Sequence, residues 1–454
     1  MATQLCPGPW KRREFLRAGT LALGGLTLPE LIRSQAQAGT PPAETSVILF
    51  WMWGGPSQLE TYDMKPDAPL EYRGPLRPMR TNVPGIEICE YMPGQAKIAD
   101  KFSIIRSLHH EMSAHNDGSI EMLTGKTPNP PDPTSQARSE HPDFGMIASR
   151  IRGPRSDGLP QYVGAQRAPF MTNPGYLSVA HKAFETGDPS KPDFAPQNLT
   201  LATGLNNGRL SDRQDLLAQF DHFRRGLDRD ADALDEFNRR AFTILTSAKV
   251  AGAFDLSQED EKRRDAYGRH RWGQSCLLAR RLAEAGVAVI NIDATAPNDT
   301  TKHFSWDDHA GAFHLDYAQR ERLPQMDQGL TALITDLHDR GLDKNVLVIA
   351  CGEFGRTPRV TYAPTNFSNQ PGVGRDHWPG AFSALIAGGG LKMGQVVGAT
   401  NSKSEYPTLD PVTPQDLLAT VYRHLGIDYR HEFLNFAGRP VPILPHGKPI
   451  AALA

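Results

Sequence analysis

Four short apolar runs in this chain are each followed almost at once by histidines, carboxylates or other polar groups, and that pattern constrains the fold most. The runs are "SVILFW" (46–51), "FSIIRS" (102–107), "VAVINI" (287–292) and "NVLVIA" (345–350). Continuous apolar runs bounded by turn residues read as strands buried on both faces. A helical period covers 323–340, between the last two, and Gly341 is placed to end it. A further strand, "AFSALIAGGG", and a further helix, "TPQDLLATVYRHLG", follow. Strands alternating with helices predict an α/β fold with a mostly parallel central sheet and helices on both faces. Ligands of such sheets bind beyond the C-terminal strand ends, so polar residues just past each strand carry the functional signal.

The N-terminus reads as a separate segment. "KRREFLRAG" (11–19) is followed by the apolar "TLALGGLTLPELI" and by "SQAQAG", which offers Ala36-x-Ala38 as a small-residue cleavage site. A charged stretch, a short apolar stretch and a cleavage site in that order describe a signal peptide over 1–38. The Arg12-Arg13 pair with Phe15 and Leu16 resembles a twin-arginine export signal. The expected location is therefore the periplasm or the exterior, with no membrane span left after removal of the signal. Residues 39–454 are expected to form one domain.

Composition narrows the partners. The 454 residues carry a formal net charge of −2, and 22% of them are charged. No basic excess points to nucleic acid. Cys89, Cys276 and Cys351 lie far apart outside the signal, which rules out a disulfide scaffold. No Cys-x-x-Cys pair offers a zinc site. No feature of the sequence fixes an oligomeric state.

Between the second and third runs, "NDGSIEMLTG" (116–125) reads as a short helix capped by Asn116 or Asp117 and ended by Gly125. Residues 126–142 are rich in Pro and polar residues and read as a rim loop. "LPQYVG" and "NLTL" are strand candidates. Residues 211–285 show helical spacing in three stretches and read as a helical insertion.

The chemistry-bearing residues sit in four groups. Past the first strand come Ser57, Glu60 and Asp63. Past the second come His109, His110, His115 and Asn116. Past the third come Asp293, His303, Asp307, Asp308 and His309, with "WDDH" at 306–309. Past the fourth come Glu353 and Arg356, then Arg375, Asp376 and His377 in "GRDHWP". Histidines with carboxylates and no thiolate suit Zn²⁺, Mn²⁺ or Fe. A metal there can polarise a phosphoryl or sulfuryl oxygen, and Arg356 and Arg375 offer bidentate clamps for a tetrahedral oxyanion.

At this point the residues resemble a known bacterial family, the domain-of-unknown-function 1501 proteins. The resemblance rests on "GGPSQLETYD", "SAHNDGSIEMLTG", "WDDH", "CGEFGRTP", "GRDHWP", "GGGLKMGQVVGAT" and the terminal "LGID…GRPV", in family order. That family resembles the alkaline phosphatase and sulfatase superfamily, which implies an alkaline-phosphatase-like fold and metal-dependent cleavage of phosphate or sulfate esters. Carried over residue by residue, the resemblance puts His115 where relatives carry a hydroxyl or formylglycine nucleophile. It leaves His115 as ligand or general base ahead of covalent nucleophile. It puts Glu353 and Phe354 in the slots of an Asp-His ligand pair, and His377 and "WDDH" at further ligand positions. The Asp usual after the first strand is replaced by Trp53 and Gly54, so one ion is expected rather than two.

The expected site thus has Asp307, His309, Glu353 and His377 as ligands of a divalent metal, Zn or Mn. His115 and Arg356 are expected to act on the substrate, and Ser57, Asn116 and Asp376 to bind it. The expected function is that of an exported metal-dependent hydrolase of sulfate or phosphate esters, acting on a small-molecule or polysaccharide ester. The alternative is a non-catalytic relative serving as an envelope or carbohydrate-binding partner protein. The two differ in whether turnover depends on His377.

Overall fold

The computed structural model describes residues 45–194, 247–295, 305–310, 315–364 and 371–454. The expected signal peptide, the "NLTL" strand, His303 and the 211–246 part of the helical insertion lie outside these residues.

Eight strands form one sheet. In chain order they are β1 (Ser46–Trp51), β2 (Phe102–Leu108), β3 (Tyr162–Ala165), β4 (Phe184–Glu185), β5 (Val289–Asp293), β6 (Val346–Cys351), β7 (Phe382–Gly388) and β8 (Val396–Val397). The spatial order is β8-β2-β7-β6-β1-β5-β3-β4. β1 pairs in parallel with both β5 and β6, and β3 with β5 and β4. Only β7 is reversed, pairing antiparallel with β2 and β6. The sheet is therefore mostly parallel, as expected. One edge gathers the C-terminal ends of β1, β2, β5 and β6 together with the chain entering β7.

The apolar runs are continuous because both faces of the sheet are covered. Along β1, Ile48 and Phe50 enter one core and Val47, Leu49 and Trp51 the other. The first core packs against α3 (Ala248–Phe254), α5 (Arg271–Glu284) and α6 (Leu315–Asp339), with α4 (Glu261–Tyr267) contributing Tyr267. The second packs against α1 (His115–Thr124), α2 (Phe144–Arg152) and α7 (Pro414–His424). The described end of the insertion is thus part of the main core through Trp272, Cys276 and Leu277 rather than an added lobe.

Three element boundaries differ from the sequence reading. α6 begins at Leu315, well before 323, and runs through Pro324. α2 was not expected; its signal is Asp143, whose carboxylate caps the Met146 N–H. α1 starts at His115 with Ala114 as its N-cap and no side-chain cap, while Gly125 ends it in the left-handed conformation as expected. Asn116 and Asp117 instead hold the rim loop: Asn116 donates to the Ala137 carbonyl at 2.8 Å, and Asp117 accepts from the Asp132 N–H at 2.6 Å.

A buried ion pair ties the loop after β1 to the lead-in of β7. Arg375 and Glu60 are both fully buried; Arg375 Nη2 meets Glu60 Oε1 at 2.7 Å and its Nε meets Oε2 at 2.9 Å. Ser57 donates to the same carboxylate, and Arg375 Nη2 also donates to the Tyr72 carbonyl at 2.8 Å. Removing one partner leaves the other charge buried without compensation. Glu60→Ala should lower unfolding free energy by about 3–5 kcal/mol, while the double change Glu60→Leu with Arg375→Met costs much less. Urea denaturation of the three proteins checks this; a loss below about 1 kcal/mol for Glu60→Ala contradicts it.

Candidate metal centre

The loop after β5 is built by alternation. Within "WDDH", Trp306 and Asp308 turn into the protein and Asp307 and His309 turn out to the sheet edge. Trp306 is fully buried, stacks on Trp272 with ring centroids 5.7 Å apart, and donates through Nε1 to the Ala294 carbonyl at 2.7 Å. Asp308 is fully buried against α6, accepting from Arg322 at 2.6 Å and from Gln319 at 2.8 Å. These anchors leave Asp307 and His309 little freedom. The loop also lies hard against Gly54, whose φ is +111° and where a Cβ would come within 2.6 Å of the backbone nitrogens of Trp306 and Asp307. Glycine is required there by close approach as well as by backbone conformation.

His377 arrives from the other side, on a two-stranded ribbon in which His377–Trp378 pairs with Gly355–Arg356. His115 arrives at the first position of α1. One donor atom from each of His115, Asp307, His309 and His377 lies within 4.8 Å of every other. Asp307 is the centre: its Oδ1 is 2.8 Å from His309 Nε2 and 3.2 Å from His377 Nε2, and its Oδ2 is 3.3 Å from His115 Nε2.

Each imidazole is held from behind through Nδ1. His115 Nδ1 lies 2.6 Å from Glu353 Oε1, His309 Nδ1 lies 2.9 Å from Asp376 Oδ1, and His377 Nδ1 lies 2.7 Å from the Ser113 carbonyl. An Nδ1–H donating outward leaves the Nε2 lone pair facing inward, the arrangement that presents imidazole to a cation. His115 Nε2 is buried and faces Asp307 Oδ2 at 3.3 Å, and His309 Nε2 and His377 Nε2 face each other at 3.0 Å. Converging nitrogens of this kind, with one carboxylate and no sulfur, fit a divalent ion such as Zn²⁺ or Mn²⁺. Among the described residues this is the single such cluster.

The other expected site residues lie around it. Glu353 is fully buried behind His115 and also accepts from the Gly54 N–H at 2.8 Å, so it stands one layer out from the converging atoms. Asp376 stands one layer out behind His309. Arg356 is fully buried; its guanidinium donates to Asp307 Oδ1 at 2.6 Å, to the Gly55 carbonyl at 2.8 Å, to the Arg375 carbonyl at 3.1 Å and to the Gly54 carbonyl. Phe354 is fully buried and packs on His377 and His115, with centroids 4.6 and 5.1 Å apart. The structure does not bring Ser57 or Asn116 to the cluster: Ser57 is committed to Glu60 and Asn116 to the rim loop. The Ser113 carbonyl is a member that no sequence pattern marks, since any residue supplies a carbonyl.

The charges are strongly coupled. Burial opposes ionisation of Asp307, but His115, His309, His377 and Arg356 outweigh it and hold its carboxyl far below the usual range. Burial also opposes a charged His115, but hydrogen bonds and negative charge from Asp307 and Glu353 lift its pKa to about 9. The hydrogen bond to Asp307 raises His309, while burial lowers His377 despite Asp307.

A family model described as "Protein of unknown function (DUF1501)" matches residues 44–454. The chain belongs to the DUF1501 family. The match spans the whole described unit, with all four cluster residues inside it. No curated protein matches the chain. Solved structures with some similarity include the PsFucS1 sulfatase from Pseudoalteromonas sp., at 12% identity and TM-score 0.35, covering 92% of this chain and 72% of that one. A phosphonate monoester hydrolase of Agrobacterium radiobacter is 12% identical with TM-score 0.36, covering 90% and 77%. A protein in the alkaline phosphatase superfamily from Vibrio parahaemolyticus is 11% identical with TM-score 0.30, covering 85% and 67%. At these identities the functional reading of this DUF1501 member rests on the cluster itself.

Two outcomes follow from this geometry. A cation reaching His115 Nε2 displaces the proton that His115 holds below about pH 9. Metal affinity should therefore rise with pH, by about tenfold per unit for each proton displaced, and level off near 9. Titration calorimetry with Zn²⁺ between pH 6.5 and 9 measures this, and a flat profile contradicts it. Second, Glu353→Gln should keep the fold but weaken metal binding by about 10–100-fold, since the partner orienting His115 loses its charge. An unchanged affinity would place Glu353 outside the centre.

Proposed function

We propose that the protein is an exported hydrolase of sulfate or phosphate esters that uses one divalent metal ion, held by His115, Asp307, His309 and His377. The observation that carries the reading is the convergence of three imidazole nitrogens and one carboxylate at the C-terminal edge of the sheet, each imidazole fixed from behind. A cation bound there supplies positive charge that polarises a sulfuryl or phosphoryl oxygen.

The chain's own residues do the rest. Asp307 supplies the negative charge that draws the cation in. Arg356 holds one oxygen of Asp307 and so fixes the carboxylate's orientation; with its guanidinium spent on three carbonyls and Asp307, it acts through Asp307 rather than on the anionic group. Glu353 and Asp376 keep the Nδ1 protons of His115 and His309 pointing outward. Phe354 and Trp53 pack on His115 and shield its ring from water. Asp307, His309 and His377 are partly exposed and Asp376 is exposed, so the cluster is open to solvent on that side. His115 is a ligand in this scheme, which leaves water rather than a side chain to attack the ester.

The reading is supported by the donor set, by the place of the cluster in the fold, and by the export-type N-terminus read from the sequence. The non-catalytic alternative rests on the histidine in the nucleophile position and on Phe354 in a ligand-histidine slot; three imidazoles and a carboxylate oriented at one point favour the hydrolase instead.

The test pairs metal analysis with an ester panel. Natively purified protein should carry one ion per chain and turn over aryl sulfates or aryl phosphates. His377→Ala should lose most of the metal and reduce kcat/KM by at least about 100-fold, the scale of losing a group that stabilises developing charge. Equal turnover by wild type and His377→Ala, or turnover without metal, contradicts the proposal.

A further inference from the structure

A cleft of about 250 Å³ opens between two loops that the metal cluster does not use. One wall is the 64–69 segment, in the loop after β1; the other is Ser402 and Lys403, in the chain that follows β8. Asp63 stands out in the sequence and takes no part in the cluster. It is fully buried and ties the two walls together. Its Oδ2 accepts from Ser404 Oγ at 2.6 Å and from Thr400 Oγ1, and its Oδ1 meets Lys65 Nζ at 2.9 Å. Ser404 holds the left-handed backbone region at φ +58°, a conformation that costs energy for a residue with a Cβ. The Asn401 side chain braces the same turn by accepting from the Glu405 N–H at 2.8 Å. The cleft is thus built by the fold before any ligand arrives.

Its lining has more positive charge than negative. Lys65 and Lys403 bring two ammonium groups, and Asp67 brings one exposed carboxylate. Lys65 does not have Asp63 to itself, because Arg106 Nε approaches the same oxygen at 3.6 Å. Two cations therefore share one buried carboxylate. Lys403 is partly buried and lies over the Tyr72 ring, 4.4 Å from its centroid, with no carboxylate among the described residues within ion-pair distance. An ammonium set on a ring face rather than on an acid is held in place and keeps N–H donors for a partner. The rest of the lining is apolar, from Met64, Pro66, Ala68 and Pro69. A bare inorganic ion leaves that surface in water, and a neutral ligand leaves the ammonium groups unpaired. A cavity of about 150 Å³ is enough to hold a benzene ring. The cleft therefore has room for an anionic head on the lysines and a small apolar body beside it.

We propose that this cleft binds a small organic anion, whose carboxylate or sulfonate group pairs with Lys403 and Lys65 and whose hydrocarbon part lies on Met64, Pro66, Ala68 and Pro69. The site is independent of the hydrolase reading, because none of its lining residues is a member of the metal cluster.

Titration calorimetry and saturation-transfer NMR on the intact protein test it, with benzoate, benzenesulfonate, neutral benzyl alcohol and inorganic sulfate as probes. Wild type should bind benzoate or benzenesulfonate saturably, and more weakly as salt rises. Benzyl alcohol and inorganic sulfate should each bind at least about tenfold more weakly than the better organic anion. Lys403→Met keeps an apolar contact with Tyr72 and should weaken organic-anion binding by at least about tenfold. Ser402→Trp, at an exposed lining position, should block it. Asp67→Asn should tighten it by up to about fivefold, since it removes the one carboxylate of the lining; a merely structural role for that loop gives no such gain. His377→Ala should bind within about twofold of wild type. No saturable binding of either organic anion, binding of benzyl alcohol or inorganic sulfate as tight as theirs, or binding that Lys403→Met leaves unchanged overturns the proposal. Anion binding lost in His377→Ala and kept in Lys403→Met places the anion on the metal centre and overturns it as well.

Discussion

The carboxylate of Asp307 is the point on which the edge of this sheet is organised. It is the shared neighbour of His115, His309, His377 and Arg356, which come from four different segments of the chain. The surrounding imidazoles and guanidinium hold this carboxyl well below the usual carboxylate range, against the opposing effect of burial. The segments are in turn fixed by groups that never meet a ligand. Asp308 and Trp306 pin the loop that carries Asp307, Gly54 lets that loop approach the end of β1, and the buried Arg375–Glu60 pair sets the lead-in to His377. The cluster is precise because its supports are buried and its converging side chains are not free to wander.

The same supports explain a division of labour in the motifs. Within each motif, neighbouring residues alternate between anchoring and presenting. In "WDDH" the second Asp anchors while the first presents. In "GRDHWP" Arg375 anchors, Asp376 braces His309 and His377 presents. In "CGEFGRTP" Glu353 braces His115, Phe354 fills space between two imidazoles, and Arg356 orients Asp307. The fixed-charge residues in these stretches therefore serve the histidines and one carboxylate, and do not approach a substrate themselves.

Much of this was legible in the sequence. The strands were visible because burial on both faces makes them uninterrupted apolar runs, and the rule that parallel sheets bind ligands at C-terminal ends pointed to the right edge. Asp307, His309 and His377 were readable as candidate ligands because each follows a strand end or leads into a strand, and the structure brings them together with His115. What a sequence does not display is depth. Glu353 and Asp376 have the chemistry of a ligand and of a substrate contact, yet one layer of side chains separates them from the converging atoms. Ser57 looked available and is spent on Glu60. Arg356 looked like an anion clamp and is wholly enclosed. The start of α6 was hidden because Pro324 imitates a helix N-terminus while sitting inside a longer helix.

X-ray absorption at the metal edge of natively purified protein tests the central claim most directly, because it reads the ligands of the ion rather than its presence. The account predicts one ion per chain with a shell of imidazole nitrogens and a carboxylate oxygen at about 2.0–2.2 Å, the multiple-scattering pattern of about three imidazoles, and no sulfur. A shell containing sulfur, a metal–metal vector from a second ion, or a spectrum unchanged by Asp307→Ala would contradict it.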